Sequence, residues 1–346
     1  MKLSPTEKPE LAQFSREINE LSLLPLWERA SAMQPGSACV PKIWRYSQLR
    51  PALLKAAALI SEREAERRVL VLENPSLRGT TYITNTLYAG LQIIMPGEIA
   101  PAHRHTPNAL RFVLEGEGAY TAVNGERTIM RPGDFVVTPN WSWHDHGNLG
   151  SVPVMWMDGL DTPFAKFFGA MFREDGQDDS QPLSRCQGDA AACYGSNLLP
   201  LDDNPKGLAS PILLYSYERT REALYHLSRP GAFHPAHGVK LRYANPVNGG
   251  YPFPTMAAFM QFLPSGFSGQ TYRSTDGAVF NVVEGAGSIR IGEESYPFAP
   301  KDIFVVPPWY PYRLKADCEV VLFSYSDRAG QEALGFWTEQ LVEDAK

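Results

Sequence analysis

Two histidines stand one residue apart in PAHRHTPNALRF, His103 and His105. A second pair, His144 and His146, follows in WSWHDHGN, so four of the chain's seven histidines lie between positions 103 and 146. In a strand, residues i and i+2 face the same side, so each pair would aim both rings one way. Neutral imidazole is the commonest protein metal ligand and suits iron, zinc, copper or nickel. A carboxylate might be expected a few residues later to complete the set, yet Ala109 stands there.

Such a site needs a rigid frame. Residues 7–33 and 47–69 read as helical; RPALLKAAALISEREAERRVL carries Ala, Leu, Glu and Arg at helical spacing. From Asn85 the texture changes to short β-type runs punctuated by Gly and Pro, such as RFVLEGEGAYTAV and ERTIMRPGDFVVTP. Many short strands at regular spacing suggest a sandwich or barrel. The stretch from about 165 to 250 is mixed, with a helix expected at 217–228 and an exposed acidic loop at EDGQDDS. The β texture then returns.

The two β regions overlay. At an offset of 169, Gly97 meets Gly266, and Glu115, Gly116 and Gly118 meet Glu284, Gly285 and Gly287. At 168, Asp134 meets Asp302, Pro139 meets Pro307 and Trp141 meets Trp309. That is a duplicated domain. His103 falls on Tyr272, His105 on Ser274 and His144 on Tyr312, so one copy keeps a histidine set that the other has lost together.

GEIAPAHRHTPNALRFVLEGEG resembles the first cupin motif, and GDFVVTPNWSWHDHGN resembles the second. The family spacing makes His144 the third ligand and leaves His146 outside the ligand set; Ala109 occupies the place of the usual glutamate ligand. With a histidine-free second copy (TYRSTDGAVFNVVEG), ACVPKIWRY and LENPSL, the chain resembles the bicupin ring-cleaving dioxygenases of the gentisate 1,2-dioxygenase family. The resemblance implies an all-β core of two jelly-roll barrels, with a helical N-terminal extension and a partly helical linker. The expected bounds are 1–75 for the extension, 76–165 for the metal-binding barrel, 166–250 for the linker and 251–346 for the metal-free barrel. It also implies one Fe(II) per chain, held by His103, His105 and His144, and cleavage of gentisate by O2 to maleylpyruvate in a homotetramer.

The remaining residues take roles in that frame. His146, two past the third ligand, could hydrogen-bond the substrate hydroxyl or move a proton. Arg111, on the face of His105 by parity, could clamp the substrate carboxylate in a fork. Gln92 and Tyr88 could bond substrate oxygens or simply line the barrel. Asp158 could meet a ring hydroxyl or orient His146. Arg67 and Arg68 could complete a cationic pocket or lie solvated on a helix end. Trp141 and Trp143 read as packing, and His226, His234 and His237 as structural.

A net charge of -6 with no basic run argues against nucleic acid or an anionic membrane surface as partner. The N-terminus lacks a signal peptide's apolar segment, LSLLPLW is too short to span a bilayer, and four scattered cysteines make no disulfide scaffold; a reduced, cytoplasmic protein is expected. Salicylate or 1-hydroxy-2-naphthoate cleavage is the near alternative. A non-catalytic ligand-binding cupin and a zinc isomerase are the more distant ones.

Overall fold

The computed structural model describes residues 9–29, 31–196, 198–202, 205 and 207–343. Four antiparallel sheets form two barrels whose strand orders correspond one for one. In the first barrel, a six-stranded sheet built around Ala109–Glu115 and Val154–Leu160 faces a five-stranded sheet built around Ile99–His105 and His144–Asn148. In the second, the six-stranded sheet is built around Ala278–Glu284 and Val320–Ser326, and the five-stranded one around Thr271–Ser274 and Tyr312–Ala316.

Strand period explains why the six-stranded sheets read as nearly continuous apolar runs. In Ala109–Glu115, Val113 packs inside the first barrel, while Leu110, Phe112 and Leu114 point the other way. Those outward residues join Phe323, Tyr325, Met260 and Val305 of the second barrel in one shared core. Phe112 and Phe323 stack at 4.1 Å, both buried. The far end of the first barrel is plugged by Ile94, Val113, Met130, Val136 and Trp156.

The elements outside the barrels run differently from the expected bounds. Lys42–Trp44, within the supposed extension, is an edge strand of the second barrel, paired with Ile303–Val306. Leu214–Tyr215, within the supposed linker, is the corresponding edge of the first, paired with Phe135–Thr138. Val69–Val71 and Val239–Arg242 close the opposite edges. Each barrel therefore takes edge strands from both the expected extension and the expected linker. Such pairing covers exposed strand edges, and nothing in the strand's own composition announces it.

The first expected helix forms only at Pro9–Glu20, followed by a short 3-10 turn at Leu26–Glu28; residues 7, 8 and 30 lie outside the described residues. The second forms at Tyr46–Leu59, and Ser61 then starts the short helix Glu62–Ala65 with a capping box to Glu64. Glu66 has φ 55, which ends that helix and turns the chain into Val69–Val71. Tyr217–Ser228 forms at the expected place, capped by Ser216. The chain divides into two compact units, 1–36 and 37–346. No helix among the described residues is long and apolar enough to cross a membrane.

Because Phe112 is stacked in the core that joins the barrels, Phe112→Ala should destabilise the protein by about 3–5 kcal/mol. Chemical denaturation followed by near-UV circular dichroism measures the loss.

Candidate metal centre

His103 and His105 end one strand and His144 begins its neighbour; a register irregularity after Ala100 brings His103 directly opposite His144. All three rings are buried. Their centroids lie 4.2 Å apart for His103 and His144, 4.8 Å for His105 and His144, and 5.6 Å for His103 and His105.

Each ring is held the same way. Nδ1–H of His103 donates to Pro101 O at 2.9 Å, that of His105 to Pro107 O at 2.8 Å and that of His144 to Ser142 O at 2.8 Å. A carbonyl can only accept, so Nδ1 carries the proton and the lone pair is left on Nε2. One donor nitrogen from each ring falls in a group within 4.8 Å, with no carboxylate among them. His144 Nε2 is buried without a hydrogen-bond partner. Burial is the largest influence on all three rings; it holds His105 down to about 4 and His144 well below its ordinary value, so they stay neutral, as ligands must be. An orphaned lone pair within a convergent, neutral set fits a divalent transition metal.

His146 lies outside this group. It points to the same side as His144, ring centroids 5.7 Å apart, with Nδ1 3.0 Å from Thr121 Oγ1. Its Nε2 is buried and unpartnered. His234 and His237 stack on each other at 4.6 Å, and His226 lies 3.8 Å from Glu222 on its own helix.

A cavity of about 340 Å³ opens beside the histidines, within the size range of small-molecule sites. Arg111, Gln92, Tyr88, Asp158, Ala109 and Arg67 all line it. Arg111 is buried; its Nη1 donates to Thr138 Oγ1 at 2.5 Å and its Nε sits 3.4 Å from Asp158 Oδ1 without a hydrogen bond. Gln92 Nε2 is also buried and unpartnered.

For two residues the structure removes one of the alternatives left open above. Asp158 does not orient His146: it accepts the Trp156 indole N–H at 3.0 Å and pairs with Arg111, which lies directly across the strands. Trp156 in turn lies edge-on to His146 at 5.8 Å. Burial pushes Asp158 up to about 6, with Arg111 and Arg67 opposing the rise. Arg67 is not solvated on a helix end; its Nη1 lies 3.0 Å from His103 Nε2. Neighbouring Arg68 is turned away into a buried pair with Glu62 at 3.3 Å and a second contact to Glu98. Thr121, Thr138 and Arg173 also serve this region, and only strand register, which a single sequence does not give, brings them in.

Trp141 and Trp143 lie partly buried, outside the ligand set. The Arg104 guanidinium lies over both rings, at 4.3 and 4.8 Å.

Residues 90–160 match the cupin domain family. The chain is 49% identical to gentisate 1,2-dioxygenase 1 of Aquipseudomonas alcaligenes, covering 97% of this chain and 99% of that protein. It is 34% identical to a 1-hydroxy-2-naphthoate 1,2-dioxygenase of Nocardioides sp., covering 98% and 92%. A crystal structure of salicylate 1,2-dioxygenase from Pseudoaminobacter salicylatoxidans with gentisate superposes with a TM-score of 0.91 at 35% identity, covering 99% and 96%.

Replacing His103, His105 or His144 singly by Ala should abolish stoichiometric metal, while His146→Ala should keep it. Metal analysis of the purified proteins reads the difference, and retention by His144→Ala with loss by His146→Ala would reverse the assignment.

Proposed function

The chain belongs to the gentisate 1,2-dioxygenase family, and from that premise we propose that it opens the ring of gentisate with O2 at an Fe(II) ion bound by His103, His105 and His144, giving maleylpyruvate. The single observation that carries this reading is the all-imidazole, carboxylate-free cluster opening onto a buried arginine. When bound, the metal would supply the redox activity that brings a singlet aromatic and triplet oxygen to reaction.

The protein's own groups do the rest. Neutral ligands leave the ion's positive charge uncompensated, which favours an anionic ortho-hydroxybenzoate. Arg111, with a free Nε and Thr138 holding its Nη1, receives the substrate carboxylate. Gln92 and the Tyr88 phenol, which burial keeps protonated, offer hydrogen bonds to ring oxygens. His146, with Nδ1 fixed against Thr121, accepts or returns a proton at Nε2. Asp158 keeps Arg111 in place and balances its charge. Arg67 and Arg173 add positive potential at the cavity wall. Salicylate and 1-hydroxy-2-naphthoate remain second substrates, because relatives and neighbours of this chain carry those names.

A cytoplasmic homotetramer belongs to the same proposal. All four cysteines are free, which suits a reducing compartment.

Protein loaded with Fe(II) and given gentisate, salicylate or 1-hydroxy-2-naphthoate should consume O2 fastest with gentisate; no uptake with any of them defeats the assignment. His146→Ala should lower kcat by about 10²–10⁴-fold with little change in bound iron. Ala109→Glu, loaded with metal, should lose substrate affinity, since the new carboxylate takes a coordination place and repels the anion. Unchanged affinity by calorimetry would remove that explanation of the missing acid.

The raised Asp158 gives a pH limb. As pH falls through about 6 the carboxylate takes up a proton and Arg111 loses its counter-charge. Gentisate affinity should therefore shift on the acid side of 6 in the wild type. In Asp158→Asn, where nothing titrates at that position, the same stretch of the profile should be flat.

A further inference from the structure

The duplication gives the metal centre an internal control. Asn108 and Asn140 stand where the second barrel has Gly277 and Pro308. Both lie just outside strand positions that correspond, since Ala109 pairs with Thr138 as Ala278 pairs with Val306. Two contacts near them are common to both barrels. Trp141 N donates to His105 O at 2.8 Å, and Trp309 N to Ser274 O at 2.7 Å. Asn108 N donates to Asp161 Oδ1 at 2.7 Å, and Gly277 N to Asp327 Oδ1 at 2.9 Å. These bonds persist where the three histidines are gone, so they belong to the barrel and not to the metal.

The Asn108 side chain is what the first barrel adds. It is buried, its Nδ2 donates to Asp161 Oδ2 at 2.9 Å, and its Oδ1 accepts the Asn140 N–H at 3.0 Å. A backbone N–H only donates, so Oδ1 must face Asn140 and Nδ2 the Asp161 carboxylate. The second barrel has no means of making this bridge. Gly277 lacks a side chain, a Cβ there would lie 2.9 Å from Thr84 and 3.3 Å from Pro308, and Pro308 has no N–H to give.

We propose that the Asn108 amide is a positioning residue of the metal centre, tying the loop that orients His105 to the loop that orients His144. The inference rests on those two histidines being ligands. Asn108 follows Pro107, whose carbonyl accepts the His105 Nδ1–H at 2.8 Å. Asn140 stands two residues before Ser142, whose carbonyl accepts the His144 Nδ1–H at 2.8 Å. Ser142 N closes the turn between them by donating to Pro139 O at 3.3 Å. One amide therefore bonds both short segments that carry a ring acceptor. Asp161 anchors it from behind and is itself held by the Thr255 hydroxyl, just ahead of the second barrel's strand Ala257–Leu263. A slip of either loop would swing a carbonyl, and with it the Nε2 lone pair of the ring it holds. Groups that orient ligands in this indirect way change metal affinity by roughly 10–100-fold.

The test titrates full-length, metal-free protein with Fe(II) under anaerobic conditions against a chelator of known affinity. Asn140→Pro removes one N–H and introduces the residue that the second barrel carries at that register. It should weaken Fe(II) binding by roughly tenfold and change the melting temperature of the metal-free protein little. Asn108→Ala should weaken binding at least as much. The double variant should bind no more weakly than Asn108→Ala, because both changes cut the same bridge. Co(II)-loaded Asn140→Pro should show shifted visible bands, a sign of altered ligand geometry that lost stability alone would not produce. Wild-type affinity with an unshifted Co(II) spectrum in Asn140→Pro overturns the proposal, and so do losses that simply add in the double variant. If one variant fails to fold, the other decides. A wild type that takes up no Fe(II) removes the metal centre and this inference together, whereas variants that match a metal-binding wild type remove the inference alone.

Discussion

The metal centre depends on keeping three imidazoles neutral, close and singly oriented inside a barrel. Burial removes water and disfavours the imidazolium, but burial alone would leave rings free to flip. The backbone supplies the missing constraint. Each ring gives its Nδ1 proton to a carbonyl two residues away in its own chain, Pro101, Pro107 and Ser142, so the tautomer is set by covalent proximity. Two of these three acceptors are prolines, whose fixed φ stiffens the segment carrying the carbonyl. The site is thus preorganised by local sequence, and the barrel only has to bring two strands into register.

That register is backed from behind. The sheet carrying Ala109, Arg111 and Asp158 presents its other face to the second barrel, where Phe112 meets Phe323 and Tyr325 donates to Tyr88 O at 2.8 Å. A cupin sheet with one solvated face could shift at modest cost. Here both faces are buried, so displacing the strand under Arg111 would disrupt a shared core. The second barrel is therefore part of the frame of the site, holding the wall of a cluster to which it contributes none of the three histidines.

Much of this was legible in the sequence because duplication and strand parity are linear signals. The offset overlay exposed two barrels, and i, i+2 spacing placed His103 with His105 and His144 with His146. What stayed hidden depends on pairings between distant segments. Lys42–Trp44 and Leu214–Tyr215 are too short to look like strands, and each completes a sheet in the other half of the chain from its expected domain. Arg67 and Arg68 look alike in sequence, yet the turn at Glu66 sends the first toward His103 and the second into Glu62. Asp158 could be read as a partner for His146 only while its cross-strand neighbour was unknown; once Arg111 stands opposite, the shorter electrostatic path wins.

The missing acid and the surplus of arginine are then two sides of one balance. A carboxylate ligand would lower the charge of the ion and satisfy the nearby guanidinium groups from within. Without it, Arg111 has only Asp158 among the described residues as a counter-charge, 3.4 Å away and without a hydrogen bond, while Arg67 repels it. The cavity is left with more positive charge than its own side chains neutralise, and that excess is a standing preference for an anion. Nor could adding acids in the wall correct it cheaply, because Asp158 already shows that burial at this depth drives a carboxylate toward its protonated form. An anion that arrives with its substrate, bound by ion and guanidinium together, neutralises the site only during turnover; a protein carboxylate would have done so permanently and left nothing to recognise.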